Sequence, residues 1–215
     1  FSVHDTQLSL AQIAEKTGLY KSTILRLAES LERAQLLVRL EGGLWCLGAF
    51  AAQLGAIHAA TYVSSTVIEP ILRKLVAATG ESASFNVRQG NMRVCLFRVD
   101  STHPVREHVF QGQILPLDRG AGGVVFEAYD GAEGDLFDKI RQNKVITVVG
   151  TRVSEVAGVG APVFGPRGTV AGSISMSIPT SRFNENDVPK LETEVKNAAA
   201  EVTRIFGGDA SVFVS

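Results

Sequence analysis

The segment Leu8–Leu47 constrains the fold more than any other part of the chain. Ser9 with Gln12 three residues on is a capping-box pattern, and Leu10, Ile13 and Ala14 then form one apolar face. Gly18 supplies a helix stop, because glycine adopts positive φ at little cost. After a short turn at Leu19, Ile24, Leu27, Ala28 and Leu31 repeat at helical spacing from Lys21 to Ala34. Lys21, Ser22, Thr23 and Arg26 fall off that stripe, near the helix start. Leu36–Leu40 and Leu44–Leu47 then alternate around Glu41-Gly42-Gly43, which predicts a hairpin. Helix, tight turn, helix and hairpin in this order predict a winged helix-turn-helix, whose second helix packs on its domain by one face and offers the other to a DNA major groove.

Charge does not announce nucleic acid. The formal net charge is -1, and in residues 1–48 the basic side chains 16, 21, 26, 33 and 39 are matched by the acidic 5, 15, 29, 32 and 41. Any DNA contact must come from local placement of charge. Arg26 is the candidate base reader, since its fork matches guanine O6 and N7. Tyr20, Lys21, Ser22 and Thr23 are candidates for phosphate and base-edge contacts. Arg39 on the wing reads equally as a backbone or minor-groove contact and as a surface arginine. A winged helix that binds only proteins is the rival reading of the whole segment.

The second part differs in texture. Ala49–Thr61 reads as an apolar linker helix that lacks basic residues, which suits dimer contacts better than a membrane surface. A helix is expected from about Ser65 to Ala78, either kinked at Pro70 or starting near Glu69. Hairpins are expected around Gln89-Gly90-Asn91 and Gly165-Pro166-Arg167-Gly168, with a further strand over Val105–Phe110. Short helices follow over Val124–Tyr129 and Asp135–Gln142, and an amphipathic helix closes the chain over Asn184–Phe206. This order predicts an α+β domain, one antiparallel sheet with helices against it, and a cupped face suited to a small ligand.

Within that domain, Gly120-Ala121-Gly122-Gly123 before a helix is either an anion cradle of free amides or a tight turn. It is no dinucleotide fingerprint, because Val125 stands where the third glycine belongs. Ser175 and Ser177 alternate with Ile174, Met176 and Ile178; their face is either a ligand wall or the solvent side of an edge strand. Neither serine sits in a nucleophile elbow. His4, His58, His103 and His108 show no metal-ligand spacing, and Cys46 and Cys95 no CxxC spacing. No metal, cofactor or catalytic residue is therefore expected. The two free cysteines, with no apolar run long enough for a membrane span and no secretory signal, suit a cytoplasmic protein. The chain starts at Phe1 without a methionine, and a helix ahead of it is expected.

Taken together, the chain resembles the IclR family of bacterial transcriptional regulators over nearly all its length. The resemblance is carried by Leu8–Ala14, Gly18, Lys21-Ser22-Thr23, Arg26-Leu27 and Leu47-Gly48. In the second part it is carried by Leu75 with Thr79-Gly80-Glu81-Ser82, Leu115-Pro116-Leu117, Gly120-Ala121-Gly122, Ala161-Pro162-Val163-Phe164 and Gly172–Ser177. It implies a winged helix-turn-helix over 1–48, a linker helix over 49–61, a GAF-like effector domain over 62–208 and a tail over 209–215. It also implies homodimers or dimers of dimers on double-stranded promoter DNA, with repression as the default, and a small organic acid or aromatic metabolite as effector. The residues it assigns to the effector are the amides of Gly120 and Ala121, the hydroxyls of Ser175 and Ser177, and Gly158. Gly158 stands where family members often carry a cysteine, and residues 148–153 lack the family's acidic pair. The rival reading of the α+β domain is a metabolic enzyme, which would need converging acid, base or nucleophile.

Overall fold

The computed structural model describes residues 1–2, 5–61 and 65–214, with backbone alone at 58–61 and 65. His4 and the His58 side chain lie outside the described residues. Two compact units emerge, Phe1–Tyr62 and Val63–Ser215.

The first unit contains β1 (Gln7–Leu8), α1 (Leu10–Thr17), α2 (Lys21–Arg33), β2 (Leu37–Arg39), β3 (Trp45–Leu47) and α3 (Ala49–Thr61). The capping box forms: Ser9 Oγ accepts from the Gln12 amide, and Gln12 Oε1 accepts from the Ser9 amide at 2.8 Å. Gly18 ends α1 at φ 69° and donates its amide to Ala14 O at 2.9 Å. The wing is the antiparallel pair β2–β3, closed by a 3-10 turn over Glu41–Gly43. β1, not foreseen from the sequence, pairs with β3 on its other side. Trp45, Ala28 and Leu37 form the buried centre, with Ile13 and Leu25 against it. Only part of the α2 stripe is used there: Ile24 is 4% exposed, while Leu27 is 46% exposed. Leu27 and Leu31 instead line an apolar groove of about 400 Å³ with Ile13, Leu19 and Leu36.

The second unit is built on a six-stranded antiparallel sheet, ordered β6-β5-β4-β9-β8-β7. The strands are β4 (Ser82–Gln89), β5 (Met92–Val99), β6 (Ile114–Pro116), β7 (Ile146–Val149), β8 (Val156–Phe164) and β9 (Val170–Pro179). The helices are α4 (Ser65–Thr79), α5 (Ala121–Tyr129), α6 (Asp135–Asn143) and α7 (Val188–Ile205). Pro70 lies inside α4, which begins before it. Two short strands, β6 and β7, were not foreseen. The strand expected over Val105–Phe110 is irregular backbone. Its carbonyls are taken by arginines instead of a neighbouring strand: Arg182 donates to Val105 O and Arg98 to Glu107 O, at 2.8 and 2.9 Å.

The two sheet faces have opposite chemistry. Ala83, Phe85 and Val87 of β4, Ile174, Met176 and Ile178 of β9, and Val159 and Ala161 of β8 share the apolar face by register and alternation. All are nearly fully buried. α4 and α7 cover that face, and Phe206 at the end of α7 packs 5.7 Å from Phe85. The other face carries Ser82, Ser84 and Asn86 of β4, Ser173, Ser175 and Ser177 of β9, and Gly158 and Gly160 of β8. α5 packs over β8 and β9, and α6 packs on α5 through Val124, Val125, Ala128 and Ile140. The segment expected as a tail also packs: Ala210–Phe213 forms a 3-10 turn, with the Phe213 ring 5.8 Å from Phe164.

Candidate functional site

The start of α2 presents a bare polar surface. Tyr20 is 85% exposed at the helix N-cap and makes no side-chain cap. Lys21, Ser22 and Arg26 are exposed and Thr23 is half-buried, while Ile24 and Ala28 anchor the opposite face. No acidic residue stands in the first turn. Among the described residues neither Lys21 nor Arg26 is in an ion pair. Helix geometry leaves the first amides without intrahelical partners, so this end attracts anions before any side chain acts. Arg39, exposed on the wing, lays its guanidinium 5.8 Å over the Trp45 ring, which gives it a packing role and fixes where its charge sits.

In the second unit, Gly120, Ala121, Gly158, Ser175 and Ser177 line one cavity of about 50 Å³. An adjoining chamber of about 30 Å³ shares Ser175 and Ser177 and adds Ser84, Asn86 and Arg98. β9 is central, between β4 and β8, so the serine face is no solvent edge. Ser82, Ser84, Asn86 and Ser173 are all under 5% exposed. Buried hydroxyls and amides cost free energy unless bonded, and most here are bonded. Asn86 Nδ2 donates to Ser175 Oγ at 3.0 Å, Ser173 Oγ to Gly122 O at 2.8 Å, and Arg98 to Ser84 Oγ at 3.1 Å. Ser177 Oγ is buried with no partner.

Glycine at the rim lets α5 sit directly on the sheet. A Cβ on Gly160 would lie 2.6 Å from Ala121 O, and one on Gly158 would lie 3.3 Å from Ala121 Cβ. Gly120 itself holds φ 74°. Its amide, expected to face a ligand, already donates to Thr151 Oγ1 at 3.1 Å. The next amides of α5, at Ala121 and Gly122, are the ones that helix geometry leaves open.

Three arginines that the sequence did not single out dominate the charge of this site. Arg93 of β5 is 4% exposed, and its Nε has no hydrogen-bond partner. Its guanidinium packs against the start of α5, where a Cβ on Gly122 would lie 2.7 Å from Nη1. Burial, with the charge of Arg152 as a second cause, pushes its pKa down to about 10. Arg152 is ion-paired with Glu107, and Arg98 with Asp100 at 2.7 Å. A cation without a carboxylate partner therefore sits against a helix N-terminus at the wall of a small polar cavity. Among the described residues no group of His, Cys, Asp and Glu could hold a metal. The cluster lacks a nucleophile paired with a base and can bind and orient a small anion.

Residues 1–41 match the profile of the IclR helix-turn-helix domain, and residues 134–204 that of the bacterial transcriptional regulator IclR C-terminal domain. The chain belongs to the IclR family. Two curated relatives extend the family match over almost the whole chain. The HTH-type transcriptional regulator KipR of Bacillus subtilis is 24% identical over 231 aligned positions, covering 95% of this chain and 92% of that protein. The transcriptional repressor IclR of Escherichia coli is 26% identical, covering 94% and 84%. In fold the chain is similar to the IclR regulator of Alicyclobacillus acidocaldarius, at TM-score 0.80, 24% identity and 94% and 92% coverage. It is also similar to an IclR homologue from Microbacterium hydrocarbonoxydans in complex with 4-hydroxybenzoate, at TM-score 0.81, 17% identity and 96% and 94% coverage. The family makes this a DNA-binding transcriptional regulator. No helix among the described residues is long and apolar enough to cross a membrane.

Proposed function

We propose that the chain is a repressor whose hold on promoter DNA is set by a small organic acid bound in the second unit. The observation that carries this is the buried polar face of the sheet, which ends in an unpaired guanidinium and an unpaired hydroxyl. Such groups weaken the empty protein and become useful when a ligand meets them. The relatives named as repressors support the sign, and the 4-hydroxybenzoate bound to one homologue supports control by an acid. A cavity of about 50 Å³ suits a short acid better than an aromatic ring.

In this reading residues 1–48 bind DNA through Tyr20, Lys21, Ser22, Thr23, Arg26 and Arg39, and residues 49–61 link. Residues 62–208 hold the effector through Ala121, Gly158, Ser175 and Ser177, with Gly120 shaping the rim, and the turn Ala210–Phe213 packs on the same unit. α3 exposes Leu54 and Ile57, an apolar surface that suits pairing of two copies, and two winged helices would then read adjacent half-sites. The protein works in the cytoplasm and turns over no substrate.

Charge reversal tests the DNA role. Lys21→Glu with Arg26→Glu lowers affinity for the gene's own promoter fragment by about 10- to 100-fold and flattens the salt dependence, as lost base and phosphate contacts require. Gel-shift titration at two salt concentrations measures both. Unchanged affinity would leave the winged helix as a protein-binding module.

A further inference from the structure

We infer that Arg93 is the counter-ion of the effector, and that the effector is therefore a short-chain acid. This rests on the reading of the cavity as an effector site and adds the ligand's charge and the residue that selects it. Arg93 is not among the positions that the family resemblance assigns to the ligand.

Four ionised side chains line the two chambers, Arg93, Arg98, Arg152 and Glu107; Asp100 lies behind Arg98 and is shared with Arg106. Arg98 is held by Asp100, and Arg152 by Glu107. Arg93 has no carboxylate in reach among the described residues, although it is the most deeply buried of the three arginines. A buried charge without a partner is among the costliest features a fold can carry, and arginine cannot shed its proton near neutral pH. The Arg93 Nε is buried and has no hydrogen-bond partner. The missing partner is an anion that comes from outside. Ser177 Oγ, also buried and unbonded, lines the same cavity and can donate to it, and the start of α5 adds the helix field.

Size limits the ligand. At about 10–15 Å³ for each water-sized group, the two chambers, of about 50 and 30 Å³, hold only a few non-hydrogen atoms. A short carboxylate satisfies this limit and a benzoate does not.

Calorimetric titration and thermal melts of the full chain test this with propionate, propionamide and benzoate. Propionate is expected to bind and to raise the melting temperature, while the other two do neither. Arg93→Met should weaken propionate binding by more than about 30-fold, the loss expected when one partner of a buried charge pair is removed. In the absence of ligand it should melt at or above wild type, because an unpaired buried charge has been removed; a structural arginine would show the reverse. Arg93→Lys should restore part of the binding. Equal binding of propionate by Arg93→Met, or binding of propionamide as tight as that of propionate, would overturn the assignment, as would failure of propionate to bind at all. A separate arm isolates the underlying reading. If propionate binds through Arg93 but leaves affinity for the promoter fragment unchanged, the regulatory role fails while the counter-ion assignment stands.

Discussion

Phe85→Ala destabilises the second unit by about 3–5 kcal/mol, whereas Ser177→Ala changes its stability by less than about 0.5 kcal/mol or raises it. The two residues lie on opposite faces of the same sheet. Phe85 is fully buried between Phe97 and Phe206, with ring centroids 6.4 and 5.7 Å away. Truncating it opens a cavity in the layer that α4 and α7 close over. The Ser177 hydroxyl is buried with no hydrogen bond, so its removal relieves a desolvated group. Urea unfolding followed by circular dichroism measures both. Equal losses would mean that the serine face holds the fold together and that the division of labour between the faces is wrong.

Trp45→Ala is expected to destabilise the first unit by about 3–5 kcal/mol and to abolish promoter binding. Trp45 is 2% exposed and forms the centre on which α2 and the wing meet; without it the reading helix loses its platform and Arg39 its ring. The chain has a single tryptophan, so intrinsic fluorescence of the wild type follows this unit alone. In the variant, promoter binding is read by gel shift, and the ligand-induced rise in melting temperature, which belongs to the second unit, should persist. Loss of both responses together would show that the two units do not fold separately.

The local signals of the first unit were legible because they are chemical and short-range. Ser9, Gln12 and Gly18 cap α1 as their spacing required, and Gly42 and Gly43 turn the wing at positive φ. Leu27 and Leu31 were legible as apolar but not as surface, since periodicity does not say how much of a stripe finds a partner. The effector cavity was legible in its glycines and serines, Gly120, Ala121, Gly158, Ser175 and Ser177, all of which line it. The role of the Gly120 amide was not, because its acceptor, Thr151, lies 31 positions away. Arg93 was missed for a related reason. A basic residue near the end of a hairpin strand reads as solvated until its guanidinium is found against the start of α5. Its one sequence signal is the company it keeps, Val94-Cys95-Leu96-Phe97, in a strand with both faces buried. Glu107 and Arg152 sit on irregular loops where periodicity carries nothing, and only their ion pair reveals a shared place.

If one chain couples an acid-binding cavity to DNA, thermodynamic linkage binds the two affinities to each other. Promoter affinity is measured with and without the carboxylate that binds, and carboxylate affinity with and without promoter DNA. Coupling requires the two ratios to be equal and to lie at about 5- to 150-fold. Two ratios of one would contradict the account, whatever each unit binds alone.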